Sequence, residues 1–193
     1  VVFERFSLQP IPWCDTGYYY DGESSPGKDV LHDAGAYYIQ EPSAMAVVES
    51  MNLKEGDTVL DLCAAPGGKS TQIACKLAGK GLLVSNELIP SRAKILSQNI
   101  ERMGIGNCIV LNERPDVLAG RFAKAFDKIL VDAPCSGEGM FRKNAVAVDE
   151  WSQEAVINCK ARQIEILDHA ANMLKDGGTL TYSTCTFSKE ENE

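Results

Sequence analysis

Five short apolar runs, separated by stretches with helical spacing, constrain this chain more than any other feature. The runs are "DTVLDLC" (57–63), "GLLVSNE" (81–87), "CIVLNE" (108–113), "DKILVDA" (127–133) and "GTLTYST" (178–184). Each is bounded by glycine or polar clusters, as expected of strands buried on both faces. Helical text lies between them, at Lys69–Leu77, Ser91–Met103 and Glu150–Leu174. The last carries Val156, Cys159, Ile164, Leu167, Ala171 and Leu174 on one face. Gly79, Gly104 and Gly177 stand where helix ends favour glycine. Strands alternating with helices predict an α/β fold with a doubly wound, mostly parallel sheet. Such a sheet binds ligands beyond the carboxyl ends of its strands. Asp61, Cys63, Glu87, Asn112, Asp132, Cys135 and Cys185 all fall at or just beyond those ends.

The 193 residues suffice for one domain. Residues 1–40 read as a loop-rich segment, "PWCDTGYYYDGESSPGKD" above all, leading into a core over 41–193 that opens with a short helix in "EPSAMAVVESMNL". The aromatic "WCDTGYYY" is expected to pack on the core rather than to stack on bases. No apolar run reaches the length of a membrane span. The start lacks both methionine and a signal-peptide pattern, and the end stops within the charged "SKEENE", so a piece of a longer chain is expected. Seven cysteines, with no C-x-x-C pair, argue against a disulfide framework and against zinc, and favour a reducing cytoplasm. His32 and His169 do not suggest a metal site. A net charge of −8 weighs lightly against RNA binding by this segment alone.

"DLCAAPGGKS" (61–70) joins the first strand to the first helix. Gly67 and Gly68 allow close approach of backbone amides to a ligand, and a helix start favours negative charge. Glu87, ending the second strand, is placed to grip two ribose hydroxyls. The G-x-G-x-x-G dinucleotide pattern is absent, and Cys63 stands where a Walker A loop needs glycine. S-adenosylmethionine (SAM) demands less, and a plain tight turn is the alternative. Asn112 and Glu113 are expected near the adenine.

Two cysteines at strand mouths need an explanation, because a structural cysteine is usually buried and inert. One chemistry uses a thiol beside a methyl donor. Carbon 5 of a pyrimidine becomes nucleophilic only after a thiolate adds at carbon 6. A carboxyl group facing ring N3 and the exocyclic amine would recognise cytosine, and Asp132 is placed for that. Cys14, Cys75, Cys108 and Cys159 are expected to pack or sit idle, and Cys63 to form a wall. "MFRK" (140–143) reads equally as a plain loop or as a contact to RNA.

Over "AGAYYIQEPSAM", "VLDLCAAPGGKSTQIA", "ILVDAPCSGEGMFRK" and "LTYSTCTFSKEENE" the chain resembles the Sun-type RNA (cytosine-5) methyltransferases, nearest to their RsmF-like bacterial ribosomal-RNA branch. The resemblance implies SAM as cofactor and RNA as partner, with no metal and no membrane. It implies Cys185 as nucleophile and Cys135 as the thiol that resolves the adduct. It implies cofactor contacts from Cys63, Ala64, Ala65, Pro66, Gly67, Gly68 and Lys69, from Glu87, from Asn112, Glu113 or Arg114, and from Asp132. The family acid aligns with Arg114 whereas this chain has Glu113, which leaves the third contact open between the two. The family sheet has seven strands, so the last two are expected to be missing here. The implied activity is formation of 5-methylcytosine, in ribosomal RNA. The alternatives are a transfer-RNA substrate or a SAM- or RNA-binding module without turnover.

Overall fold

The computed structural model describes residues 5–143, 145–149 and 151–193. Its centre is a five-stranded parallel sheet of β3 (Thr58–Asp61), β4 (Leu82–Asn86), β5 (Cys108–Leu111), β6 (Phe126–Asp132) and β7 (Leu174–Ser183), in the order β5-β4-β3-β6-β7. The chain runs outward from β3 through β4 to β5, then returns to place β6 on the other side of β3. That reversal opens a crevice beyond the ends of β3, β4 and β6.

Alternate strand residues face opposite layers. Leu60, Ile129 and Val131 point toward α7 (Gln153–Met173), where Ile166, Ala170 and Met173 complete one apolar cluster. Val59, Leu83 and Leu130 point the other way. They meet Val48 of α2 (Pro42–Glu49) and Ile73 and Leu77 of α3 (Gly68–Leu77). Leu96 and Ile100 of α4 (Pro90–Arg102) pack on Ala64 and Ala65 of the first turn. Burial on both faces is why these strands read as apolar runs rather than as alternating ones.

Four local expectations need correction. Residues 9–19, read as loop, form an antiparallel pair, β1 (Gln9–Ile11) and β2 (Cys14–Tyr19). Pro and Gly masked a strand in which Ile11, Cys14 and Gly17 turn inward. A Cβ on Gly17 would meet Met45 Sδ at 2.9 Å, so glycine marks close packing there and not a turn. The aromatic stretch, expected to pack on the core, leaves Trp13, Tyr19 and Tyr20 exposed, with Trp13 Nε1 donating to Pro42 O at 3.1 Å.

Gly177 does not end a helix. The long helix stops at Met173 and β7 follows directly, pairing Leu174 with Phe126 and then Thr179 with Lys128. Four residues of β7 therefore bulge against one of β6, and Gly177, at φ +80°, lies within that bulge. A third difference is α5 (Pro115–Arg121), a crossover helix too short to show periodicity, anchored by Leu118. Finally, the predicted helix from Glu150 begins at Gln153, where Ser152 Oγ accepts from Ala155 N; Glu150 itself lies outside the described residues. A short α6 (Ala145–Asp149) precedes it, and α1 (Val30–Asp33) and α8 (Lys189–Asn192) complete the helices. Among the described residues no helix is long and apolar enough to cross a membrane.

Candidate active site

The turn after β3 is built from small residues because it is crowded on both sides. Gly67 adopts φ +115° at the start of α3. A Cβ on Gly68 would meet Gln40 and Tyr38 at 3.0 Å. From α4, Arg92 Nη2 donates to Ala65 O at 2.9 Å and Asn99 Nδ2 to Pro66 O at 2.8 Å, holding the turn in place. The turn divides two hollows. A cleft of about 820 Å³ is lined by Cys63 and Ala65 of the turn, by Glu87 and Arg114, and by Cys135 and Cys185. A hollow of about 230 Å³ is lined by residues 63–66, Gly68 and Lys69, under Tyr38 and Gln40. Asp132 lines both. Burial pushes the Cys63 thiol up to about 12, which suits an inert wall residue.

Asp61 is fully buried beneath this turn. Its Oδ2 accepts from Ser70 Oγ at 2.6 Å, and Ser85 Oγ donates to Ser70 Oγ at 2.9 Å. Its Oδ1 has no hydrogen-bond partner among the described residues. Burial raises its pKa to about 7, against the lowering effect of the Ser70 bond. The unfolded chain releases this proton near pH 4 and the folded chain near 7. Between those values the folded state holds the extra proton, so this group's contribution to stability is full below pH 4 and declines as pH rises to 7. Asp61→Asn is expected to flatten the fall in unfolding free energy from urea titration between pH 4.5 and 7 by roughly 1 kcal/mol per pH unit. Equal slopes in the two proteins would show that Asp61 titrates normally.

Glu87 is buried at the end of β4. Its Oε1 accepts from Ile89 N at 2.9 Å, and Arg92 Nη1 lies 3.5 Å from Oε2. Asn112 and Glu113 do not line the cleft. Asn112 Nδ2 donates to Glu87 O at 2.6 Å and Leu88 O at 2.9 Å, and Glu113 N donates to Asn86 Oδ1 at 3.0 Å. Both residues thus tie strand ends together. Arg114 does line the cleft, with its guanidinium paired to Asp116 at 2.8 Å and 3.0 Å. Leu88, Ile89, Pro115 and Asp116 complete that end.

Asp132 ends β6. Lys69 Nζ donates to its Oδ2 and Ser183 Oγ to its Oδ1, each at 2.7 Å. Asp132 and Ser183 are register partners on adjacent strands. Cys135 and Cys185 follow those two strand ends, and their sulfurs lie 3.1 Å apart. Cys185 N also donates to Cys135 Sγ at 3.3 Å. The bond from the Cys185 thiol draws Cys135 down to about 7, opposed by burial. The same bond pushes Cys185 well up, and burial adds to the effect. The pair therefore begins to give up one of its two protons near neutrality, and the bond between the thiols favours the charge on Cys135 over Cys185.

Both cysteine loops are held by residues that sequence reasoning missed. Glu191 Oε2 accepts from Ser136 N at 3.1 Å and from Gln163 Nε2 at 2.7 Å, and Gln163 Nε2 also donates to Pro134 O. Ser136 and Thr186 share a hydroxyl hydrogen bond of 2.9 Å, Gly139 N donates to Cys185 O at 2.7 Å, and Phe187 N donates to Glu138 Oε2 at 2.9 Å. In sequence, Glu191 sits in a charged run that reads as a solvated end. Arg162 and His169 reach the cleft from α7, whose buried face runs through Gln163, Ile166, Ala170 and Met173; the face expected from Val156, Cys159, Ile164, Leu167, Ala171 and Leu174 is rotated from it and leaves Ile164 exposed. In "MFRK", Met140 lines the cleft and Lys143 pairs with Glu41.

A family model described as 16S rRNA methyltransferase RsmB/F matches residues 48–193, and one described as the N-terminal domain of 16S rRNA methyltransferase RsmF matches 2–42. Ribosomal RNA small subunit methyltransferase F of Vibrio vulnificus is 44% identical over 97% of this chain, and that of Citrobacter koseri is likewise 44% identical. The chain spans 41% and 40% of these two relatives. Among solved structures, a methyltransferase homolog from Pyrococcus horikoshii has TM-score 0.83 at 30% identity, covering 98% of this chain and 60% of its own. NSun6 from the same organism has TM-score 0.79 at 31% identity, covering 87% and 43%. With the strand order, the glycine turn and the paired thiols on one crevice, these matches place the chain in the RsmB/F family of 16S rRNA methyltransferases.

Proposed function

We propose that the full-length protein methylates carbon 5 of a cytosine in small-subunit ribosomal RNA, with SAM as donor. The observation that carries the reading is the thiol pair beside Asp132 at the mouth of a cleft that also holds Glu87. The cleft volume lies within the range of small-molecule sites. Glu87 offers a buried carboxylate for ribose hydroxyls. The unpartnered Asp61 oxygen and the Lys69–Asp132 pair beneath the turn suit a ligand carrying both charges. SAM, when bound, supplies an electrophilic methyl group.

The chain's own residues do the rest. Cys135, when ionised, accepts the proton of Cys185 across 3.1 Å. The Cys185 thiolate then adds to carbon 6 of the cytosine as ring N3 takes up a proton from solvent, and the Asp132 carboxylate accepts from N3–H and from the exocyclic amine. Carbon 5 becomes an enamine carbon. Once carbon 5 has gained the methyl group, Cys135, its proton lost to solvent in the open cleft, takes the carbon-5 proton as the Cys185–carbon bond breaks and ring N3 gives its proton up. The five-strand segment supplies this chemistry. RNA affinity is assigned to the remainder of the longer chain, since this segment carries a net charge of −8.

Two measurements test the reading. Labelled SAM should transfer methyl to unmodified small-subunit ribosomal RNA, and not to transfer RNA, when the full-length protein is used. A transfer-RNA product would replace the substrate, and no transfer to either would end the proposal. In calorimetry, Glu87→Ala should weaken SAM binding about tenfold or more, the usual scale for hydrogen bonds to a charged group. Unchanged affinity would remove Glu87 from the site.

A further inference from the structure

The geometry of the two thiols supports a chemistry other than methyl transfer. We propose that Cys135 and Cys185 are an oxidative modification site that small-molecule disulfides of the glutathione type convert to an intramolecular disulfide. The conversion switches methylation off, a consequence that rests on the function proposed above.

Three observations carry this. The sulfurs already lie 3.1 Å apart, so closure to a bond of about 2 Å needs a movement near 1 Å. The two loops are also fixed to each other, through Gly139 N on Cys185 O, the Ser136–Thr186 bond and the shared Glu191 anchor. Little ordering is therefore lost on closure. Finally, Cys185 is exposed and Cys135 half-buried on the wall of an open cleft, which gives an oxidant access. The other cysteines do not combine these features. Cys14 is buried, and Cys63 is held protonated by its surroundings. Cys75 is exposed but forms no thiol pair in the described structure.

The steps balance. The Cys135 thiolate attacks one sulfur of the small disulfide, whose S–S bond breaks and releases one small thiolate. Cys185 then loses its proton and attacks Cys135 Sγ. The mixed disulfide breaks, and the second small thiolate leaves and takes up a proton. Two protein thiols are oxidised by two electrons, and one small disulfide is reduced to two thiols. With about half of Cys135 ionised at pH 7, first capture should be roughly threefold faster than at an ordinary thiol, because the higher thiolate fraction outweighs its lower nucleophilicity. The larger advantage lies in the second step, which is intramolecular and prealigned.

The experiment uses the full-length protein and oxidised glutathione, with free thiols blocked before tryptic mapping. The expected product joins the peptide of residues 129–142 to that of residues 176–189, with methyl transfer falling in proportion and returning after dithiothreitol. Cys185→Ser should retain glutathione on Cys135 as a mixed disulfide, because the resolving thiol is gone. Cys75→Ser should leave the linkage and its kinetics unchanged. The proposal is overturned if Cys75 acquires glutathione while the linked peptides never form, or if the linked protein still methylates RNA. A reduced protein that transfers no methyl overturns the functional reading and the switch with it, while the linkage is read by mass regardless.

Discussion

Cys185→Ala is expected to abolish methyl transfer and to give no covalent protein–RNA species, whereas Cys135→Ala is expected to accumulate one that survives denaturing electrophoresis. The cycle has an addition and an elimination, and each thiol is indispensable to a different one. Without a sulfur at 185 nothing adds to carbon 6, and carbon 5 stays unreactive. Without a sulfur at 135 the addition can still occur, since Cys185 is then freed from its bond to a neighbouring thiolate. Removal of the carbon-5 proton then lacks its base, and the adduct persists. Position alone does not rank the two, because both border the same cleft and the bond between them favours the charge on Cys135. The reverse pattern, trapping by Cys185→Ala, would make Cys135 the attacking sulfur. Full activity in both variants would remove covalent catalysis altogether.

Glu191→Ala should be the most damaging change outside the reacting groups. Glu191 is 5% exposed, and its carboxylate is an acceptor for both Ser136 N and Gln163 Nε2. Truncation strands two donors, each at a cost of about 1–3 kcal/mol when buried. A loss of roughly 2–4 kcal/mol in unfolding free energy is expected, together with at least a tenfold fall in kcat as the thiols lose their alignment. SAM affinity should change little, because Glu87 and the glycine turn stand on other strands. Glu191→Gln keeps an acceptor oxygen and should recover most of the stability. An alanine variant with normal kcat would show that the cysteine loops hold themselves.

The strands were legible in the sequence because each is buried on both faces, so composition alone marks it. The glycine turn, Glu87, Asp132 and both cysteines were legible because a parallel sheet gathers whatever follows its strands. The hairpin at 9–19 was hidden by Pro10, Pro12 and Gly17, residues that usually signal turns. The bulge in β7 was hidden because it depends on register against β6, which no local pattern encodes. Glu191 and Gln163 escaped for a related reason. Their importance comes from one another and from Ser136, 55 residues before Glu191, and a carboxylate in an acidic tail carries no mark of burial. Asn112 and Glu113 show how open such a position is. A polar residue at a strand end is as readily used to hold neighbouring backbone as to meet a ligand.

The register pairing of Asp132 with Ser183 means that the separation of the thiols is set across the sheet and not along the chain. The cysteines are 50 positions apart in sequence, and α6 and α7 fill about half of that interval. A longer or shorter crossover would leave the sulfurs neighbours as long as α7 still covered the sheet and Gln163 still reached Glu191. The exposed residues around Val146 and Val148 are therefore a place where the polypeptide should tolerate an insertion, a protease nick or new termini. A protein cut there and held together by its core would still carry a working pair, assembled from two separate chains.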